Sequence, residues 1–461
     1  MSRRVVITGL GAFTSIGTTV EEFWRGCLNG VTSVADIPSK WHDFYHFNSR
    51  VWAPLPPPAQ NSKIVNDIER TKLDTAAVIA METAAEALNN AGLTPSLVDV
   101  KRNAYVLTNV DSIRTGIFLG TGVGGMNSLL SNAAYHMLAQ QPQRLQELTK
   151  LLDPSDTPEQ ARQLVERVAS DILIPFRANP FVVSMIMPNA VSSNIAIKFG
   201  IHGPAQTSCS ACSSGTVALG NAFQALQSGG IDIAIAGGVE YLSDDYGMIF
   251  RGFDVAKTLV AQGKQPFSND QLNRPFDRDR SGFLFSQGGC GIMVLEDLEH
   301  ARKRNANIIC EVAAYSETCD GYNIMMMQPN GEQITRMLAQ LLQSAGCAGQ
   351  DVDYVNAHGT GTLLNDTTEA EIIERVFGKQ VLVNSTKSLL GHTIGASGAL
   401  GALVAALSIR DSTTHVCKNL QNPVRDLNFV RSDGSHTIQT AVTQSFAFGG
   451  HNAALLLKAV A

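Results

Sequence analysis

The sequence has little charge. Of its 461 residues only 16% are Asp, Glu, Lys or Arg, against about 25% in an average globular chain. Less surface than usual is therefore dressed for water, and a large subunit interface is expected. There is no block of like charge, and 41 acidic against 35 basic residues leave a net charge of −6. The basic footprint that a nucleic-acid binder needs to neutralise phosphates is missing. A long unbroken apolar run is missing too. An uncharged, apolar-rich stretch, residues 388–409, carries His392 and several glycines and hydroxyls, too polar and too small for a bilayer span of about 20 apolar residues; a buried, tightly packed helix is expected there. The opening MSRRVVITGLGAFTSIG places two arginines before apolar residues, as a secretion signal would. Thr8, Gly9, Gly11 and Thr14 interrupt it and no small-x-small cleavage site follows, so a first buried strand over 4–8 is expected instead. The eight cysteines (27, 209, 212, 290, 310, 319, 347 and 417) are scattered. In a chain this long they read as reduced thiols of a cytoplasmic protein rather than a disulfide framework.

What is present is enough apolar material, 44%, to build a large core, which excludes disorder and suggests two or three domain-sized units. Short β-branched runs bounded by glycine recur at 5–8, 116–120, 231–236, 291–295, 352–356 and 453–457, with helix-period stretches such as 73–91 and 333–346 between several of them. That alternation predicts an α/β protein with covered sheets. Two segments are less regular: 37–61, rich in Trp, Pro and His, and 126–177, a polar helical insertion. Both are expected to run over the surface as cap or interface elements. A change of texture at RKRNAN (302–307) marks the likeliest boundary and divides the chain into 1–303 and 304–461. No short-period repeat is visible.

Chemistry concentrates in four segments. Residues 207–230, TSCSACSSGTVALGNAFQALQSGG, predict a strand end, then Cys212, then a helix opening on Ser213, Ser214 and Gly215 and closed by Gly229 and Gly230. A thiol at that point lies at the positive end of the helix, where orphan N–H groups favour the thiolate, in the outline of a nucleophile elbow. Cys209 and Cys212 also form a lone C-x-x-C, but no second pair or His-x-His partner stands nearby, which leaves zinc or dithiol chemistry a remote alternative; Cys209 is expected to be structural. NAHGTGT (356–362) puts His358 just after a strand, and NSTKSLLGHTIGASG (384–398) places Lys387 and His392 five apart before the apolar helix. A single histidine is ordinarily a hydrogen-bonded structural one; two of them with a poised cysteine point to catalysis. QSFAFGGHN (444–452) offers a glycine pair after an aromatic, which allows close backbone approach to a ligand and an N–H for an oxyanion. Phe446 and Phe448 alternate there as in any strand, so alone this is a weak signal.

These residues resemble the β-ketoacyl-acyl-carrier-protein synthases of the type I/II class. The similarity covers essentially the whole chain, through VVITGLGA, GPAQTSCSACSSG, RPFDRDRSGF, VLEDLEHARKR, NAHGTGT, STKSLLGH and SFAFGGHNAALL. It implies a thiolase-like fold, with two similar α/β halves in a five-layer αβαβα arrangement, and a dimer built by the N-terminal half. Cys212 matches the family's acylated nucleophile, His358 and His392 its two histidines, and Lys387 its active-site lysine. Phe448 matches the gating phenylalanine whose N–H joins that of Cys212 in an oxyanion hole; Thr360 and Thr362 match threonines that bond the phosphopantetheine arm, and Phe446 and Gly449 complete the expected substrate-binding set. The implied reaction is decarboxylative Claisen condensation of an acyl group on Cys212 with malonyl carrier, in fatty acid or type II polyketide or polyene elongation. No metal or separate cofactor is implied, since phosphopantetheine arrives on the carrier. The carrier is expected to be acidic, and Lys63, Arg70 and Lys72 are candidates for its dock.

The sequence departs from the family pattern at Gly401, where a glutamate commonly pairs with the lysine, leaving Asp366 or Glu369 as possible substitutes. It also departs at Ser286-Gln287-Gly288, where an acid often precedes Gly-x-Gly, and at His451 in the gating loop. These departures suggest a specialised pathway, in which the partner could be a non-catalytic chain-length subunit. Three alternatives stay open: a non-elongating partner subunit of a heterodimer, an acyltransferase, and a thiolase. The last is disfavoured because thiolases use a second cysteine near the C-terminus and none follows Cys417.

Overall fold

The computed structural model describes residues 3–60, 62–139, 158–163, 179–261, 267–432 and 434–460. Most of the 126–177 segment lies outside the described residues; its first part is a helix, Met126–Ala139.

Among the described residues eleven strands form one continuous hydrogen-bonded sheet. In chain order they are β1 (Val5–Phe13), β2 (Thr115–Gly120), β3 (Ala205–Ser208), β4 (Ile233–Tyr241) and β5 (Gly288–Asp297), then β6 (Cys310–Cys319), β7 (Tyr354–Asn356), β8 (Leu382–Asn384), β9 (Asn428–Phe429), β10 (Thr440–Phe446) and β11 (His451–Lys458). Their spatial order is β9-β8-β7-β10-β11-β6-β1-β5-β4-β2-β3. Within the first five, β2 is parallel to β3 and β4, while β5 is antiparallel to β4 and β1. The second set repeats this: β7 is parallel to β8 and β10, and β11 is antiparallel to β10 and β6. Apart from β9, which extends the second set parallel to β8, the chain therefore makes one topology twice. The two copies meet where β1 pairs with β6 over Val5–Val312, Val6–Glu311 and Ile7–Cys310.

Parallel strands need crossover helices that cover both sheet faces, and the core divides accordingly. Helices α1 (Thr75–Asn90) and α2 (Ala190–Phe199) cover the outer face of the first sheet. Helices α5 (Glu332–Ala345) and α6 (Leu363–Phe377) cover the outer face of the second. Between the sheets lie α3 (Ser214–Gln227) and α7 (Ser397–Asp411), whose apolar side chains join those of both sheets in one cluster. These are the five layers of the thiolase-like fold. The middle position explains the composition of α7: Ser397 through Ile409 are all buried, and a helix apolar all round is one covered all round. Residues 394–411 are long and apolar enough to cross a bilayer by length and composition, but here the helix is sandwiched in protein.

The segment at 37–61 is not the surface excursion its composition suggests. Trp41, Phe47 and Trp52 are buried and pack with Phe250 of α4 (Met248–Val255), Phe285 and Cys212 in one cluster. Trp41 lies 5.1 Å from Trp52 and 5.7 Å from Phe250, ring centre to ring centre. The Trp-bearing loop is thus the wall behind the cysteine. Gln287, at one of the departures from the family pattern, anchors it: its amide oxygen accepts from the Leu55 N–H at 2.8 Å while its nitrogen donates to the Tyr241 hydroxyl at 3.1 Å.

Candidate active site

Cys212 stands between β3 and α3, in a turn sharp enough to force Ala211 to φ +47°, a left-handed conformation that costs a non-glycine residue about 1 kcal/mol or more. The turn carries the thiol to the wall of a cavity of about 300 Å³, also lined by His358, His392, Phe446 and Phe448. His392 follows the short helix Lys387–Leu390, and its Nε2 is 3.1 Å from Cys212 Sγ. The Ile394 N–H donates to His392 Nδ1 at 3.2 Å. With Nδ1 accepting, the neutral ring carries its proton on Nε2, so His392 presents a donor to the sulfur. His358 sits after β7, its ring centre 5.5 Å from that of His392. Lys387 Nζ donates to the His358 carbonyl at 2.7 Å and lies 3.3 Å from His358 Nδ1, which by the same logic turns a second Nε2–H toward the cavity.

Burial sets the electrostatics. Both imidazoles are held well below their ordinary value, first by burial and then by the Lys387 charge, so both are neutral. Burial also lowers Lys387 to about 8, opposed by the fields of Glu369, Cys212 and Asp366. The expectation of a resting thiolate at the helix start is overturned: burial pushes Cys212 up to about 11, although Lys387 and the N–H groups of Phe448 and Cys212 pull it down. Desolvation of a fully enclosed sulfur outweighs the partial charge of a helix terminus. Because a raised thiol pKa leaves the thiolate fraction climbing through neutral pH, the rate of Cys212 alkylation by iodoacetamide should rise about tenfold per pH unit from 7 to 9 with no plateau. A plateau below pH 8.5 would contradict this.

Asp366 and Glu369 do not form the lysine pair expected of them. Lys387 bonds His358 directly, and the two carboxylates act on it through their fields. Glu369 accepts from the His358 and Gly359 N–H groups, both at 2.7 Å; Asp366 accepts from the Gly361 N–H at 3.1 Å and from Phe276 at 2.6 Å. They hold the histidine loop. Gly401 cannot host the family's glutamate, because a Cβ there would come within 2.6 Å of Asn356 Oδ1. Asn356 is fixed in turn by donating to Tyr354, Asn384 and Thr386. Gly401→Glu is therefore expected to cost about 1–3 kcal/mol by overpacking, visible as a lower melting temperature.

Thr360 and Thr362 line the cavity with their hydroxyls 2.9 Å apart, and Phe446 packs against His358 at 5.5 Å. Gly449, expected in the substrate-binding set, is not among the residues lining this cavity. Its N–H donates to the Ile324 carbonyl at 2.8 Å, because the gating turn is clasped to the 320–328 turn, where Asn452 also donates to Asp320 at 2.7 Å. His451 is exposed and paired with Cys319 across β11 and β6. Cys209, read as structural, is exposed. Of the docking candidates, Arg70 is committed internally, donating to Glu82 at 2.7 Å and to the Ala59 carbonyl; Lys63 and Lys72 are exposed, and the lysine that lines the cavity is Lys257. Sequence reasoning missed the cavity's apolar side, Phe253, Phe283 and Met325–Met327. Phe283 lies within a quoted motif and the triple methionine is visible in the sequence, but neither residue type announces a site.

A cysteine nucleophile facing two neutral imidazole donors, at the junction of two topologically identical α/β halves, defines a thiol-dependent acyl-transfer enzyme of the thiolase-like fold. The β-ketoacyl synthase N-terminal domain matches residues 2–301 and the C-terminal domain residues 309–421. The chain belongs to the β-ketoacyl synthase family of condensing enzymes. It is 31% identical to the 3-oxoacyl-[acyl-carrier-protein] synthase 2 of Synechocystis over 99% of this chain and 98% of that one. Against the protein of the same name from Staphylococcus aureus the identity is 32%, with the same coverage. Among solved structures, the ishigamide ketosynthase/chain length factor superposes with a TM-score of 0.81 at 28% identity, and a β-ketoacyl synthase from Burkholderia phymatum with 0.79 at 25%, each covering 100% of both chains.

Proposed function

We propose that this chain is an acyl-carrier-protein-dependent condensing enzyme that elongates an acyl chain held on Cys212 by decarboxylative reaction with a malonyl group. The observation that carries this is the set Cys212, His392 and His358 on one cavity wall, with two Nε2–H donors aimed at the same space. In the first half-reaction the Cys212 sulfur loses its proton, attacks the carrier thioester and expels the phosphopantetheine thiol. A thiolate suits this because it is both a good nucleophile and a good leaving group. In the second, loss of CO2 from a malonyl thioester places negative charge on the thioester oxygen, which the His358 and His392 donors stabilise without a metal. The carbanion then attacks the acyl carbonyl, whose oxygen faces the N–H groups of Cys212 and Phe448, and the Cys212 thiolate leaves. Lys387, bonded to His358, positions that ring and supplies charge. Residues 1–303 bring the nucleophile and 304–461 the histidines, the lysine and the gate.

The phosphopantetheine arm enters past Thr360 and Thr362, and no resident cofactor is required. A dimer is expected from the exposed edge strand β3, and the likeness to a structure titled ketosynthase/chain length factor favours testing a heterodimer beside the homodimer. A cytoplasmic location fits the unpaired cysteines. The test is mass spectrometry after exposure to a panel of acyl carriers. One acyl mass should appear on the peptide holding Cys212, and malonyl carrier should then release a 3-oxoacyl product two carbons longer. An adduct that persists in Cys212→Ala, or no adduct with any carrier, would refute the proposal.

A further inference from the structure

The condensing chemistry makes no use of Glu240, a carboxylate that bonds to both halves of the chain beside the site. It lies on β4 in the N-terminal half and is fully buried. Its two oxygens accept from four donors: the Gly122 N–H at 2.6 Å, the Val123 N–H at 3.3 Å, the Thr121 hydroxyl at 3.0 Å, and the Gly395 N–H at 2.9 Å. The first three belong to the turn after β2. The fourth belongs to the other half, three residues past His392 and next to Ile394, whose own N–H fixes the His392 ring. Both glycines are there for proximity: a Cβ on either would come within 2.6 Å of Glu240 Oε2, and one on Gly395 within 2.4 Å of the Gly122 nitrogen. The helix start behind Cys212 closes the same knot, since a Cβ on Gly215 would meet the Gly395 carbonyl at 3.0 Å.

We propose that Glu240 is a positioning residue for the condensation, its carboxylate tying the Thr121–Val123 turn of one half to Gly395 of the other and so fixing the His392 ring against the Cys212 sulfur. This rests on the function proposed above, but its first readout does not. Three backbone N–H groups, which can only donate, favour the acceptor-only, ionised form, and the Thr121 hydroxyl can serve either state. Burial raises the group to about 7 while these bonds lower it, so the clasp is complete above that pH; below it, the protonated carboxyl is a weaker acceptor for the Gly122, Val123 and Gly395 N–H groups. The titratable groups that face Glu240 are Cys209 and Cys212, both raised by its charge. The turn holding Gly395 contributes His392, while the Thr121–Val123 turn and the Gly288–Gly289 stretch of β5 contribute none.

Two variants and one measurement on the unaltered protein test this. Glu240→Gln removes the charge and puts a donor among donors. Cys212 alkylation at pH 8 should then speed up about threefold or more as the opposing charge goes, and condensation kcat should fall about tenfold while the KM for the carrier substrate holds within twofold. Glu240→Asp keeps the charge and shortens the reach, so alkylation should stay within twofold of the parent while kcat falls. Faster alkylation of Glu240→Gln with undiminished kcat would leave only a charge effect and overturn the positioning role; parent-like values of both would overturn everything. Should Glu240→Gln fail to fold, hydrogen exchange of the unaltered protein decides. Corrected for intrinsic rates, peptides containing 121–123 and 394–396 should lose protection together between pH 8 and pH 6. Independent or pH-insensitive protection would sink the clasp.

Discussion

Cys212→Ala should abolish condensation by on the order of 10⁴-fold or more, the scale on which removal of a nucleophile acts in acyl-transfer enzymes, while leaving decarboxylation of the malonyl carrier measurable. The reason is spatial. The sulfur is one wall of the cavity, and the two imidazole donors are held by elements that do not depend on it: His392 by the Ile394 N–H, His358 by Lys387 and by Glu369 beneath its loop. Removing Sγ takes away the acyl acceptor and leaves the enolate-stabilising pair in place. Loss of CO2 release in parallel with condensation would mean that the sulfur organises the histidines, contrary to the geometry. Release of labelled CO2, assayed beside product formation, separates the two outcomes.

His358→Ala and His392→Ala are each expected to cut decarboxylation about 10²–10³-fold, the loss typical of one preorganised donor, but to differ in the first half-reaction. His392 touches the nucleophile at 3.1 Å, whereas His358 contacts Lys387 and Phe446. Acylation of Cys212, followed by single-turnover mass spectrometry, should therefore slow markedly in His392→Ala and by less than about tenfold in His358→Ala. Equal effects on acylation would show that the two rings act as one unit.

Much of this was legible in the sequence because the catalytic groups sit in turns with an unmistakable local grammar. A cysteine followed by Ser213, Ser214 and Gly215 is a strand-to-helix turn, and His358 in a Gly/Thr run is a strand end; both stand where expected. The strands at 5–13, 115–120, 233–241, 288–297 and 451–458 overlap runs legible by eye. Strand β8 was not, being short, and of β3 only the end before Cys212 was, the rest being half-exposed and polar (AQTS). The duplication was invisible to composition because it lives in pairing order, with different side chains filling equivalent places. The ionisation state of Cys212 was misjudged for a related reason. A helix start can be read along the chain, but the depth of the enclosing aromatic wall, built from residues 41, 47 and 52 far upstream, cannot. Gly401 is the converse case: its missing glutamate looked like a loss, and coordinates show that Asn356 already occupies the room.

The split origin of the site also bears on when during folding it can begin to work. A ribosome that has released only the first half has exposed a cysteine without the ring that approaches it at 3.1 Å, the lysine whose charge eases its ionisation, or the gate N–H that points at it. The acyl-accepting centre, with donor ring, lysine and gate all in place, thus comes into being only when β6 zips onto β1 and α7 slots beside α3. Acyl transfer to Cys212 from a carrier is therefore a late-folding property, and its appearance during refolding would time the docking of the two halves.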